Sequence, residues 1–264
     1  MEQPIAKPRP SYAIVLAYDG TRFEGWQLQP QRRTVQGVVE EALSKIHGVT
    51  RVAIVGAGRT DAGVHALGQV ASYTPPTPRE PAQLQHALSR LLSHEVRPLS
   101  VRAMSNQFHA CRSAAGKIYR YRVVNRPTLL PFEAPYVWHV PQRLEIGAML
   151  AAAATLPGTR DFASFSAAGG QTKSYVRELR RLAIVPRDDG EISIEVEADG
   201  FLYRMVRIIT GLLIEIGRAR RSTEAVAALL AAPRVGSAAT MAPPQGLCLV
   251  RVHYPRDDDP HSVS

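Results

Sequence analysis

The sequence predicts an α+β fold, in which two similar halves contribute strands and helices to one antiparallel-rich mixed sheet flanked by helices. Three observations predict it. Glu191 to Ala198 alternates strictly, with Glu191, Ser193, Glu195 and Glu197 on one face and Ile192, Ile194, Val196 and Ala198 on the other, as in an antiparallel strand with one wet face. Val35, Val38, Val39, Ala42, Leu43 and Ile46 recur at helical spacing. Strand and helix patterns return in both halves without any short-period repeat.

Taken in order, Tyr12 to Tyr18 is a β-rich run that ends at the turn signal Asp19-Gly20. Thr34 then caps a helix, and Gly48 closes it in a left-handed conformation. Arg51 to Val55 and Gly68 to Tyr73 read as strands. A helix from Pro81 carries Leu84, Ala87, Leu88, Leu91 and Leu92 on one stripe. The second half offers strands at Lys117 to Val124, Tyr136 to Val140 and Glu178 to Val185, with a helix near Leu144 to Leu156. After the alternating strand comes a helix with Leu202, Met205, Val206, Ile209, Leu213 and Ile216 on its core stripe. Ser222 caps one more helix ending before Pro233, and Leu247 to Val252 forms a last strand. A boundary near Ser105 divides the chain into 1–105 and 106–264. Thr74 to Pro81 and Ala167 to Lys173 read as exposed loops, and Met1 to Pro10 and Asp257 to Ser264 as frayed ends.

Composition narrows the function classes. With 264 residues, 45% hydrophobic, the chain can bury a real core. Lys and Arg outnumber Asp and Glu by 32 to 23, a net charge of +9, which favours polyanionic partners and nucleic acid first. Cys111 and Cys248 stand far apart without metal-type spacing, arguing against a disulfide scaffold or a zinc site and fitting a reducing cytoplasm. No secretory signal is visible, and the most apolar run, Val206 to Ile216, holds Arg207 and Glu215 and falls short of the roughly 20 residues a membrane span needs. It reads as a buried helix, and no membrane association is expected. The eight His residues show no zinc-type spacing, and Glu40-Glu41 and Asp188-Asp189 read as solvated pairs. Neither metal nor cofactor is expected.

The segment richest in chemistry is Gly56-Ala57-Gly58-Arg59-Thr60-Asp61-Ala62-Gly63-Val64-His65, between two strands. Its glycines allow positive φ and close approach to a ligand. A phosphate-binding P-loop needs Lys after its last glycine where Val64 stands, and a dinucleotide fingerprint needs glycine where Asp61 stands. What remains is a carboxylate beside a guanidinium in a tight loop; an Asp that merely ties up turn N–H groups is the competing reading.

Tyr18-Asp19-Gly20-Thr21, Gly25-Trp26-Gln27, Gly58 to His65 and Phe108-His109-Ala110 together resemble the tRNA pseudouridine synthase A family. Tyr119-Arg120-Tyr121, Asp161 to Phe165, Phe201 to Arg207 with Gly211, and Gly246-Leu247 continue the resemblance in order and spacing, from about Tyr12 to Tyr254. It implies a pseudouridine synthase fold and a cofactor-free isomerase, an intramolecular transferase. Uridines at positions 38, 39 and 40 of the tRNA anticodon stem-loop would be its substrates, in a homodimer. Asp61 is implied as the catalytic aspartate acting on a flipped-out nucleotide, Arg207 as the arginine that pairs with it, and Tyr119 as the base-stacking residue. Leu247 is implied as an apolar wall of that pocket. Arg59 is implied to hold the surroundings of the extruded nucleotide open. RNA contacts are implied for Arg79, Phe108, His109, Ala110, Cys111, Arg112, Gln171, Thr172 and Lys173. One departure is that Cys111 and Arg112 follow Phe-His-Ala, where the family often has Arg and then an aromatic residue.

The physical chemistry is compatible with these roles. An Asp with a reference pKa near 3.9 is ionised at neutral pH, and an aromatic platform accepts a flipped base at roughly 1–3 kcal/mol per stack. A glycosidase would need a second carboxyl group, and none is evident. Arg207 otherwise reads as a basic residue snorkelling to solvent from a helix core, and Tyr121 as a half-buried strand tyrosine. Two other functions stay open: a catalytically idle RNA-binding or RNA-folding protein, and a hydrolytic RNA glycosylase that releases uracil.

Overall fold

A computed structural model describes residues 10–261 of the chain. They form a mixed α+β structure in two units, one containing the chain up to Ala115 together with the segment from Val252, the other Gly116–Arg251. In the first unit the order is β1 (Ser11–Tyr18), α1 (Val35–His47), β2 (Val55–Gly56), β3 (His65–Tyr73), α2 (Pro81–Leu91) and β4 (Val96–Met104). In the second it is β5 (Gly116–Val124), β6 (Trp138–His139), α3 (Ile146–Ala153), β7 (Gly158–Asp161), β8 (Val176–Pro186), β9 (Glu191–Ala198), α4 (Met205–Gly217), α5 (Ala225–Ala231) and β10 (Leu247–His253), whose last residues belong to the first unit. No helix among the described residues is long and apolar enough to cross a membrane.

In the first unit, β1 pairs antiparallel with both β3 and β4, and β2 joins the far side of β3. Ile14, Val15, Leu16, Val70 and Ala71 make the core of this sheet, each 2% exposed or less. Helix α1 forms as its spacing predicts. The Thr34 hydroxyl accepts the Gly37 N–H at 3.2 Å, and Gly48 ends the helix at φ 65°, ψ 34°. Strand β4 has no counterpart in the sequence reading because Pro98 interrupts its pattern. An edge strand tolerates proline, and the register slips beside it, between Val15 and Leu16 of β1.

Residues 51–54 depart from expectation. Only Val55 and Gly56 pair as a strand, although Val52 and Ile54 are buried in alternation. Side chains of α1 take the place of a neighbouring strand: Ser44 Oγ accepts from Val52 N at 2.9 Å and Glu40 Oε1 from Ile54 N at 3.1 Å. Glu40 is therefore only 5% exposed, which corrects its reading as a solvated charge; its neighbour Glu41 is exposed.

In the second unit, β9 pairs antiparallel with β5 and β8, β8 with β7, and β6 runs parallel to β5. The polar face of β9 is drier than its alternation predicts. Glu191 and Ser193 are buried, because Arg122 Nη2 closes on Glu191 Oε2 at 2.7 Å, and Arg120 and Arg181 both reach Glu195. In α4 every residue except Glu215 is buried. Helix α5 starts at Ala225, and its entry is held by the Ser222 carbonyl accepting from Ala225 N, not by a Ser222 side-chain cap on the helix.

The C-terminal segment is anchored where fraying was expected. Tyr254 packs on Phe108 with ring centroids 5.3 Å apart, and Ser100 Oγ donates to Pro260 O. A short 3-10 turn spans Arg256–Asp258. The expectation for Met1 to Arg9 and for Ser262 to Ser264 lies outside the described residues.

Candidate active site

The loop from Ala57 to Val64 is fixed at many points by main chain. Ala57 N donates to Val70 O, Gln69 Nε2 to Gly58 O at 2.8 Å, Trp26 N to Thr60 O at 3.0 Å and Gly63 N to Phe23 O at 3.3 Å. Val64 N donates to Asp61 O and closes the turn, with Gly63 at φ 76°. The turn is thus held by backbone atoms, and Asp61 sits half-buried upon it.

Tight packing explains the glycines nearby. A Cβ on Gly20 would lie 2.0 Å from Val64 O, and one on Gly56 would lie 2.5 Å from the Trp26 ring. Gly25 combines φ 87° with a Cβ position 2.6 Å from Thr60 O. Thr60 itself faces inward, its hydroxyl 2.8 Å from the Tyr18 hydroxyl. His65 Nδ1 lies 3.1 Å from the Gly20 N–H that it accepts and 3.2 Å from Asp19 Oδ1. Asp19 Oδ1 also accepts from Thr21 N and Thr21 Oγ1.

Arg59 is exposed two residues before Asp61. Arg79 is also exposed, while its backbone N and O both bond the hydroxyl of buried Tyr12. Phe108 and Ala110 are core positions: Phe108 packs on Tyr254, and Ala110 bonds Ser72 Oγ and the Tyr254 hydroxyl. Cys111 and Arg112 are exposed, and both of their N–H groups donate to Nδ1 of half-buried His109.

The second unit holds Tyr119, Arg207 and Leu247. Tyr119 is 7% exposed and meets Phe201 edge-on, ring centroids 5.0 Å apart at 87°. Tyr121 is wholly buried, not half-buried. Its hydroxyl donates to Pro243 O at 2.6 Å, a Cβ on Gly246 would lie 2.5 Å from its ring, and burial pushes the phenol far above its usual pKa range. Leu247 is 6% exposed at the start of β10.

Arg207 does not snorkel. It is 7% exposed in the first turn of α4, where the helix dipole disfavours a cation, and its Nε donates to Ala242 O at 2.9 Å. The chain enters the helix through Arg204 in a left-handed conformation, φ 61°.

Gln171, Thr172 and Lys173 are exposed, and Thr172 Oγ1 bonds Ser174 and Arg177. The Asp161–Phe165 segment is structural: Asp161 Oδ1 accepts from Ala163 N, and Phe162 and Phe165 are fully buried. No group of three or more His, Cys, Asp or Glu among the described residues is arranged to hold a metal ion, and both cysteines are free.

Residues 14–111 and 152–255 match the tRNA pseudouridine synthase family. The chain belongs to that family. It is 41% identical to tRNA pseudouridine synthase A of Syntrophotalea carbinolica, across 93% of this chain and 96% of the relative. With the enzyme of that name from Moorella thermoacetica it shares 43% identity across 93% and 100%, and with that from Myxococcus xanthus 41% across 95% and 94%. A tRNA pseudouridine synthase is an isomerase. Gly20, Gly25, Trp26 and Thr60 are the frame of the Asp61 loop. The frame also includes Gln36, which the sequence reading passed over, and Glu40, which it took as solvated; their signal is four-residue spacing along α1, extended by Ser44.

Proposed function

We propose that this tRNA pseudouridine synthase uses Asp61 as the nucleophile or base that converts uridine to pseudouridine in the anticodon stem-loop of tRNA, at positions 38, 39 and 40. The observation that carries this reading is the Asp61 turn. Backbone bonds hold it from both sides, and Asp61 is left half-buried two residues after the exposed Arg59.

The reaction balances within the nucleoside. The bond from C1′ to N1 breaks, the uracil turns, a bond from C1′ to C5 forms, C5 loses its proton and N1 gains one. Asp61 supplies the negative charge that acts on sugar or base. Tyr119 supplies an aromatic face for the extruded uracil, Leu247 an apolar wall and Arg207 a buried guanidinium. Exclusion of water would retain the detached base for recombination. Arg59, Arg79, Arg112 and Lys173 are exposed cations suited to phosphate, and their attraction to RNA weakens with salt. A homodimer in the cytoplasm completes this reading.

Adduct-stopped primer extension on tRNA treated with the purified protein tests it. Stops at positions 38–40 are expected. Unmodified tRNA would favour an idle RNA-binding protein, and free uracil with abasic RNA would favour a glycosylase.

A further inference from the structure

We infer that Gln36 and Glu40, buried polar residues one turn apart on α1, are positioning residues that set the placement of the Asp61 loop. The inference rests on the reading of Asp61 as the catalytic carboxylate.

Helix α1 has an apolar face, yet Gln36 and Glu40 are only 7% and 5% exposed. Their bonds converge on the chain that leads into the loop. Glu40 Oε1 accepts from Ile54 N at 3.1 Å and from Gln36 Nε2 at 2.7 Å, while Gln36 Nε2 also reaches Ile54 O at 3.3 Å. The other end of the same amide, Gln36 Oε1, accepts from Leu28 N at 3.0 Å. One side chain therefore ties the segment after Gly25-Trp26 to the segment before Gly56.

A second route runs through main chain. Gln36 N donates to Trp26 O, Trp26 N donates to Thr60 O, and Thr60 adjoins Asp61. The Trp26 indole meanwhile covers Gly56. Gln36 thus reaches the loop at both ends, through Trp26 to Thr60 and through Ile54 to Gly56.

A buried carboxylate carries a desolvation cost, and Arg51, the cation bonded to Glu40, has a side chain 62% exposed and gives limited return. Apolar residues would avoid that cost but leave the N–H groups of Leu28 and Ile54 without their acceptors. A satisfied polar network both pairs these groups and specifies one alignment of the backbones it joins. Alignment matters here because a shift of about 1 Å at a reacting group can slow chemistry by about 100-fold.

The test compares Gln36→Glu, Gln36→Met, Glu40→Gln and the exchanged double variant Gln36→Glu/Glu40→Gln, with Asp61→Asn as reference. Single-turnover pseudouridine formation at saturating tRNA is measured beside tRNA affinity and the unfolding midpoint. Gln36→Glu sets two carboxylates against each other, and Gln36→Met removes the amide at similar volume. Each should lower the single-turnover rate by about 10- to 100-fold while tRNA affinity stays within about twofold. The exchanged pair restores the amide-to-carboxylate bond between the two side chains, though not the bond to Ile54 O, and should recover at least about threefold of the rate lost in Gln36→Glu. Glu40→Gln alone keeps the acceptor for Ile54 N and should fall between these limits.

Wild-type rates in Gln36→Met, with Asp61→Asn inactive, would overturn the positioning role and leave the Asp61 reading intact. Failure of the exchanged pair to recover any rate would overturn the pairing of the two residues. Wild-type turnover by Asp61→Asn would overturn the reading beneath. If Gln36→Glu does not fold, Gln36→Met carries the comparison.

Discussion

The Tyr18 hydroxyl lies 2.8 Å from Thr60 Oγ1, joining the end of β1 to the residue before Asp61. Both side chains are buried, at 4% and 7% exposure, so water cannot replace a missing partner at little cost. Tyr18→Phe should lower stability by about 1–3 kcal/mol, read as a lower denaturation midpoint with an unchanged denaturant slope. An unaltered midpoint would show that the loop is not held through this contact.

Gly25 and Gly48 separate backbone strain from site geometry. Both have positive φ, but only at Gly25 would a Cβ press on the Asp61 loop, 2.6 Å from Thr60 O; at Gly48 nothing lies within 4 Å. Gly48→Ala should destabilise by about 1–2 kcal/mol and leave turnover of the folded protein unchanged. Gly25→Ala should also slow pseudouridine formation by about tenfold or more. Single-turnover kinetics on both variants decides whether the close approach matters.

Arg59 is exposed and supports no described packing. Arg59→Ala should leave unfolding within about 0.5 kcal/mol of wild type. If its guanidinium meets phosphate, tRNA affinity should fall and the slope of log affinity against log salt should shrink by about one. An unchanged slope with normal turnover would remove Arg59 from the RNA surface.

His47 offers a pH dependence. Burial, and then the charge of Arg79, hold its pKa below the ordinary 6.5, so the folded state favours the neutral ring. The stability this represents is complete above pH 6.5 and is lost as pH falls through the depressed folded value. Denaturant midpoints at pH 7.5 and 5.5 should therefore fall more steeply for wild type than for His47→Gln. Equal losses would place the acid sensitivity elsewhere.

The parts of the fold legible from sequence are those in which local chemistry and burial agree. Thr34 and Gly48 bracket α1 as their side-chain and backbone preferences dictate, and β9 forms over the alternating residues, with Glu191 and Ser193 buried on its polar face. Tertiary context decides the rest. Val52 and Ile54 alternate like a strand, but their N–H groups meet Ser44 and Glu40 of a helix. Pro98 hides β4, because proline at a sheet edge looks locally like a break. Charge was the weakest guide: Glu40 read as solvated, and Arg207 as snorkelling wherever the family resemblance was set aside, yet both are buried on hydrogen bonds that join separate segments. The Asp61 loop was legible because glycines crowd only where backbone must approach backbone, as Gly20 and Gly25 do here. Its supporting residues carried no comparable signal.

Asp61→Asn keeps the shape of the side chain and the backbone bonds of its turn while removing the charge. Single-turnover pseudouridine formation on saturating tRNA, measured alongside tRNA affinity, is the most direct test. The reading predicts affinity within a few-fold of wild type and no detectable product. Product at the wild-type rate would contradict it.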